Sequence, residues 1–269
     1  MRPVLSIIGI GRLGEAIAGS LLRSGWTTAQ QVVCTDVDSG RVAEVSAMLG
    51  IRSAATAREA VEAGELLLLA VKPQSMRELL AEIAPFITTA HTVVSVAAGI
   101  PLAVMQDALP EGTAVVRVMP NTPILVGEAM SAMTAGPTVD PERLDLVESL
   151  LAEVGQVVRV SEDAMDAVTA VSGSGPAYVF FLAEAMTAAA QNLGLPPEQA
   201  RTLVEQTILG AATLLREDGR SAADLRAMVT SPNGTTQAAI ETLQAHDVTA
   251  AFNAAIAAAA RRSQELAAS

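Results

Sequence analysis

Cysteine, histidine, aromatic residues and positive charge are all scarce in this sequence, and each scarcity removes a class of protein. One cysteine, Cys34, rules out an internal disulfide framework, and two well-separated histidines, His91 and His246, offer no recognisable metal cluster. No metal is expected. Lys and Arg number 17 against 29 acids, a formal charge of −12. The clustered cations that hold a phosphate backbone are missing, so a small-molecule ligand is expected and nucleic acid is not. Aromatics make up 2%, with Trp26 and Tyr178 each the only one of its kind. The core must then be built from Val, Leu, Ile, Ala and Met, which suits helices packed through small residues. Uncharged apolar runs fall well short of the roughly 18 residues of a membrane span, so no membrane partner is expected and the chain reads as soluble and cytoplasmic. The opening MRPVLSIIGIG looks superficially like a signal peptide. It passes straight into a glycine motif, however, and reads better as a buried first strand.

What is present falls into two rhythms. Of 269 residues, 51% are apolar and 17% charged, enough to bury a substantial core in one large domain or two moderate ones. From residue 3 to about 160, apolar runs (VLSIIGI, QVVCTD, IRSA, LLLLAV, TVVSVAA, AVVRVMP, MSAMTA, QVVRV) alternate with helical patterns such as GEAIAGSLLRSG and PERLDLVESLLAEVG. This alternation predicts a parallel sheet with right-handed crossovers, and runs like LLLLAV fit burial on both faces. After Glu162 the strand signal disappears and the remainder reads as helices, with Pro196, Pro197 and Ser221 opening and Gly194 and Gly219 closing them. Segments such as YVFFLAEAM and AAFNAAIAAAA have little polar surface to show to water. A small helical domain cannot hide that area internally, so a homodimer through the C-terminal helices is expected.

Gly9-Ile10-Gly11-Arg12-Leu13-Gly14 directly follows a predicted strand and opens a predicted helix. The first glycine makes the turn, the second lets a pyrophosphate approach the backbone, and the third lets the helix pack closely on the strand; the helix N-terminus then presents its free N–H groups to the phosphates. Thr35 and Asp36 end the second strand, with Asp36 22 residues past Gly14. An acid there either accepts hydrogen bonds from an adenosine ribose or caps the helix at Ser39 or Gly40. Arg41 is near enough in sequence to offer a 2′-phosphate some compensation. Ala70-Val71-Lys72-Pro73 and Val96-Ala97-Ala98-Gly99 leave the fourth and fifth strands, where ligands of open α/β sheets bind. Met119-Pro120-Asn121-Thr122-Pro123 follows the sixth; its two prolines stiffen a loop that holds Asn121 either against a ligand or over the sheet. The fold class is thus α/β: an N-terminal Rossmann dinucleotide-binding domain over residues 1–160, then an all-α dimerisation domain over 161–269.

Two C-terminal stretches are more specific. VSGSGPAYVF at 171–180 and MVTSPNGTT at 228–236, with GIGRLG, AVKP, AAG and MPNTP before them, make the chain resemble the pyrroline-5-carboxylate reductases from first strand to last helix. The resemblance implies an NAD(P)H-dependent oxidoreductase acting on CH–NH groups, which reduces the cyclic imine 1-pyrroline-5-carboxylate to L-proline in proline biosynthesis. It also implies a helical domain interlocked with a second subunit, and dimers that assemble further into rings. By position, Gly9 to Gly14 would hold the pyrophosphate, and Ala70, Val71, Lys72, Pro73, Val96, Ala98 and Asn121 would border the rest of the cofactor with Thr35 and Asp36. Glu162, Ser172, Ser174, Gly175, Ser231, Gly234, Thr235 and Thr236 would surround the substrate. Asn233 stands where the family more often has glycine, Arg12-Leu13 where many members have Asn-Met, and Asp36 where NADP-preferring members place hydroxyl, amide or basic residues. The cofactor is therefore NADPH or NADH, with the preference open.

The chemistry so implied is hydride delivery from nicotinamide C4 to a C=N carbon, with the protein orienting two rings and stabilising charge. Thr236 is the candidate for the imine nitrogen, as donor or proton relay. The N–H groups of Gly234, Thr235 and Thr236 resemble an anion nest for the substrate carboxylate. Glu162 either attracts a cationic iminium or merely opens a helix; Ser172, Ser174 and Gly175 shape the pocket, and Pro176 restarts the helix beyond them. Tyr178 is either core or pocket lining, with core the favoured reading. Rival readings are a reductase of a six-membered or methylated cyclic imino acid, and a non-catalytic accessory protein that keeps the fold. A β-hydroxyacid dehydrogenase needs a catalytic lysine in the helical domain, and no lysine follows Arg117.

Overall fold

The computed structural model describes residues 2–267. Its first part alternates strand and helix: β1 (Leu5–Ile8), α1 (Arg12–Ser24), β2 (Val32–Thr35), α2 (Ser39–Leu49), β3 (Arg52–Ser53), α3 (Ala57–Ala63), β4 (Leu66–Leu69), α4 (Pro73–Ile83), β5 (Thr92–Ser95), α5 (Leu102–Ala108), β6 (Ala114–Met119), β7 (Ala129–Ala135), α6 (Pro141–Ala152) and β8 (Gly155–Arg159). Every expected strand is present, in one sheet of order β3-β2-β1-β4-β5-β6-β7-β8. The strand order reverses between β1 and β4, which opens a crevice beyond their carboxyl ends. Alternation along the strands feeds two cores. Leu66 and Leu68 of β4 pack with Ile7, Ile17, Val94, Val116 and Leu150 on one face, while Leu67 and Leu69 pack with Ile8, Met76, Leu80, Val93 and Met105 on the other. Each such leucine contributes about 1.5–3 kcal/mol by leaving water.

The expected all-parallel sheet needs one correction: β7 runs antiparallel to β6, so the sheet is mixed. Only residues 120–128 join the two strands, and part of that link is a 3₁₀ turn, Thr122–Val126. A parallel return needs a dozen or more residues, usually with a helix, so this link permits only reversal.

By contacts the chain divides into two units: residues up to Ser174 together with Ala259 onward, and Gly175–Ala258. The first unit includes the short helix α7 (Met165–Val168), a π turn over Thr169–Gly173, and the C-terminal end of α12 (Val248–Ala267). That end is tied down by Ser263, whose hydroxyl donates to Asp166 at 2.6 Å. The second unit holds α8 (Gly175–Asn192), α9 (Pro197–Asp218), α10 (Ala222–Met228), α11 (Thr235–Ala245) and the start of α12. Pro197 opens α9, Gly219 closes it at φ 81°, and the Ser221 hydroxyl caps α10 by accepting from the Asp224 N–H, all as their residue types predict. Large apolar side chains nevertheless stay exposed, among them Phe180 at 61% and Phe181 at 72%. Among the described residues no helix is long and apolar enough to cross a membrane.

Candidate active site

The glycine turn has the shape its spacing predicts. Gly9 has φ 98°, and a Cβ there would lie 2.7 Å from the Ala70 carbonyl carbon, because the chain leaving β4 crosses directly over it. A Cβ on Gly14 would collide with the Gly9 carbonyl oxygen, so the third glycine brings α1 against the turn. Gly11 meets nothing within 4 Å and is exposed, which leaves its backbone open to an approaching group. As N-cap of α1 it supplies no side-chain oxygen, so the helix N–H groups keep no side-chain cap there. Ile10 is fully buried and Leu13 half-buried, while Arg12 is exposed beside the turn.

The end of β2 fastens this turn. Gly9 N–H donates to the Thr35 carbonyl at 2.9 Å, and Ile10 N–H donates to Asp36 Oδ2 at 2.8 Å. Asp36 Oδ1 accepts from Asp38 N–H at 3.1 Å. The cap of α2 is Asp38, which accepts from Arg41 N–H; this takes the capping alternative away from Asp36. The Arg41 guanidinium folds back over the turn, donating to the Ile10 carbonyl at 3.3 Å and pairing with Glu44 and Glu15.

Beyond β4 and β5 the chain continues the crevice. Ala70 N–H donates to the Ile8 carbonyl at 2.8 Å and Val96 N–H to the Leu69 carbonyl at 3.1 Å, so the chain leaving β4 stays in register with β1 and the chain leaving β5 with β4. Val71 is half-buried, Lys72 is exposed at the cap of α4, and Pro73 is its first residue. Val96 is buried and Ala98 exposed. A cavity of about 650 Å³ opens beside Ala98 and Pro73, walled also by Arg77, Ser174, Arg262 and Ser263.

Asn121 ties two motifs together: its Oδ1 accepts from Met130 N–H at 2.9 Å and its Nδ2 donates to the Ser172 carbonyl at 3.2 Å. Glu162 is likewise engaged. Its Oε1 accepts from Arg117 Nη1 at 2.5 Å and from Leu102 N–H at 3.1 Å, at the start of α5. Its charge is thus already offset by Arg117, which is 4% exposed on β6. Glu162 Oε2 and the Ser172 hydroxyl are buried with no hydrogen-bond partner among the described residues. The π turn closes with Ser174 N–H donating to the Thr169 carbonyl at 2.8 Å, and Gly175 then begins α8 with Pro176 in its first turn. Tyr178 is half-buried within its unit.

The remaining predicted residues lie in the second unit. Asn233, which stands where the family more often has glycine, takes φ 59°, a left-handed conformation that Asn tolerates. Its N–H donates to Gln237 Oε1 at 2.8 Å, and Gly234 N–H donates to the Ser231 carbonyl at 3.0 Å. The expected nest therefore loses one member, since the Gly234 N–H is spent inside the turn. Those of Thr235 and Thr236 open α11, whose N-cap Gly234 supplies no side-chain acceptor. Thr236 is half-buried and Thr235 exposed.

Arg117, Glu15 and Ser263 were not anticipated. A lone arginine inside the apolar run AVVRVM is the one signal that could have flagged a buried partner.

The chain is 42% identical over 265 residues to a pyrroline-5-carboxylate reductase of Corynebacterium melassecola, covering 97% of this chain and 98% of that protein. The chain belongs to the pyrroline-5-carboxylate reductase family. A second member of this family, from Methanosarcina acetivorans, is 40% identical over 97% of both chains. A solved pyrroline-5-carboxylate reductase from Coxiella burnetii superposes with a TM-score of 0.93 at 34% identity, covering 98% of each chain. Residues 162–266 match the family model for pyrroline-5-carboxylate reductase dimerisation, and residues 4–99 match one described as NADP oxidoreductase coenzyme F420-dependent. The reductase family thus accounts for both the sheet and the helices.

Proposed function

We propose that this chain reduces 1-pyrroline-5-carboxylate to L-proline with a reduced nicotinamide dinucleotide, as a cytoplasmic homodimer joined through its C-terminal helices. The observation that carries the reading is the turn before α11. There Asn233 and Gly234 bend the chain so that two N–H groups without side-chain caps and the Thr236 hydroxyl open one helix. Those N–H groups, with the helix N-terminus behind them, suit a carboxylate; the hydroxyl suits an imine nitrogen. Residues 1–160 take the dinucleotide part and 161–269 the substrate and dimer part.

The open Gly11 backbone and the N-terminus of α1 fit a pyrophosphate, with Arg12 free to add a contact. Thr35 and Asp36 stand at the adenosine end, and Ala70 to Pro73, Val96, Ala98 and the loop of Asn121 border the nicotinamide end. When bound, the cofactor supplies hydride from C4. Glu162 holds the turn after β5 through Leu102, while Ser172, Ser174, Gly175 and Ser231 shape the surroundings of the imine acid. An imine nitrogen that is already protonated needs only a hydrogen-bonding neighbour, which Thr236 provides.

Replacing Thr236 by Val removes the hydroxyl at nearly constant shape. It should lower kcat/KM for the imine by about 10²-fold and leave dinucleotide affinity unchanged. Initial rates with the five-membered imine acid and its six-membered homologue, followed by nicotinamide absorbance, check both points. Undiminished turnover would remove Thr236 from the chemistry, and faster reduction of the larger ring would replace the substrate.

A further inference from the structure

We infer that the adenosine end of the dinucleotide crevice selects NADH over NADPH: Asp36 receives the ribose hydroxyls, and Glu15 and Glu44 keep Arg41 from serving a 2′-phosphate. The inference rests on the reductase reading and narrows its cofactor.

The Asp36 carboxylate is fixed from two sides. Oδ2 accepts from Ile10 N–H at 2.8 Å and Oδ1 from Asp38 N–H at 3.1 Å. Each oxygen keeps lone-pair capacity for a further donor, so two adjacent ribose hydroxyls can be received together. The carboxylate cannot swing aside without stranding the N–H of Ile10, a fully buried residue. A 2′-phosphate carries only acceptors and a charge near −1.5 to −2, and so meets a fixed anion where the ribose hydroxyl offers a donor.

Arg41 is the cation that sequence alone would enlist as compensation, yet each nitrogen of its fork already has a partner. Nε donates to the Ile10 carbonyl at 3.3 Å, Nη1 to Glu44 at 2.7 Å, and Nη2 pairs with Glu15 in the first turn of α1. These pairs raise the guanidinium above its ordinary pKa, the hydrogen bond to Glu44 foremost; the loss of hydration works the other way, and Glu15 adds to the rise. One main-chain donor at the start of α2 is also taken, because Asp38 already accepts the Arg41 N–H at 3.1 Å. Glu15, Asp36, Asp38 and Glu44 thus outnumber Arg12 and Arg41 around this end of the crevice. A phosphate monoester placed there meets net repulsion, in a location where charges interact more strongly than in bulk water.

Titration of the intact protein with NADH and with NADPH, read by nicotinamide fluorescence, tests this without turnover. NADH is expected to bind at least about tenfold more tightly. Asp36→Asn keeps an oxygen for the Ile10 N–H and removes the charge, and should cut that preference by about tenfold. Glu15→Gln, which spares the turn altogether, should cut it by a smaller factor in the same direction. Equal affinities, or tighter binding of NADPH, in the wild-type protein overturn the inference and leave the reductase reading standing. If neither dinucleotide binds, both fall.

Discussion

Cys34 lies on β2, two positions before Asp36, with no solvent exposure. Burial first, and the Asp36 carboxylate second, push its thiol above the ordinary value. The native fold therefore favours the protonated form, whereas the unfolded chain loses the proton near the ordinary thiol pKa of about 8.5. Between that pH and the raised native value the unfolded state binds fewer protons, so stability falls as pH rises. Two outcomes are expected. A disulfide reagent at pH 8 should leave the native thiol untouched and titrate one equivalent per chain in denaturant. Cys34→Ala should flatten the alkaline decline measured by urea unfolding above pH 9, about half a unit past the ordinary thiol value. At this scale the geometry of the candidate site was legible wherever it is local. The spacing of Gly9, Gly11 and Gly14, and the tolerance of Asn233 for a left-handed turn, depend on a few neighbouring backbone angles. The bond from Ile10 to Asp36 spans 26 positions and the loss of the Gly234 N–H depends on how one turn closes, so neither has a signature in residue type.

Between elements, the consequential contact is the one that Glu162 makes from Arg117 on β6 to the first turn of α5. Arg117 is nearly buried and Glu162 about a third exposed, so the pair is screened less than a surface bridge but more than a core one. Removing only the cation leaves an uncompensated carboxylate beside the sheet. Arg117→Met should thus destabilise the protein by about 2–3 kcal/mol, at the lower end for a broken buried pair. Adding Glu162→Gln should recover part of that loss, which urea unfolding of the single and double variants measures. A double variant whose loss equals the sum of the two single losses would show that the pair carries no coupling. The elements themselves were largely readable: β1, β2, β4, β5 and β6 are β-branched or leucine-rich runs buried throughout, whose alternation serves two faces. The direction of β7 was not, because MSAMTA looks the same either way and only the short link after β6 decides it. Nor was the π turn at Thr169–Gly173, since a helical pattern does not reveal where one residue is added to its ladder.

At the scale of the whole molecule, the helical unit leaves too much apolar surface for a lone chain. Phe180 and Phe181 on α8, Leu209 on α9 and Phe252 on α12 are all between 46% and 72% exposed, while Ala200 and Val204 are among its few buried apolar residues. Exposed apolar area of this extent marks an association surface, and a self-complementary one gives a closed two-fold dimer. Net charge opposes the encounter: each chain brings −12, so the attraction must come from apolar contact, and added salt should tighten rather than loosen the assembly. Sedimentation at micromolar concentration should give a dimer or a multiple of it in both low and high salt. Each phenylalanine that leaves water contributes about 1.5–3 kcal/mol, so replacing Phe180 and Phe181 together by Glu should weaken dimerisation by at least about 100-fold. Because both side chains lie on the surface of the isolated chain, the variant keeps the sheet core intact, and its helical circular dichroism should persist as its mass falls. A wild-type protein that sediments as a monomer at this concentration would overturn the association itself, and a double variant that remains as tightly dimeric would place the subunit contact elsewhere and leave the apolar face of α8 without a role.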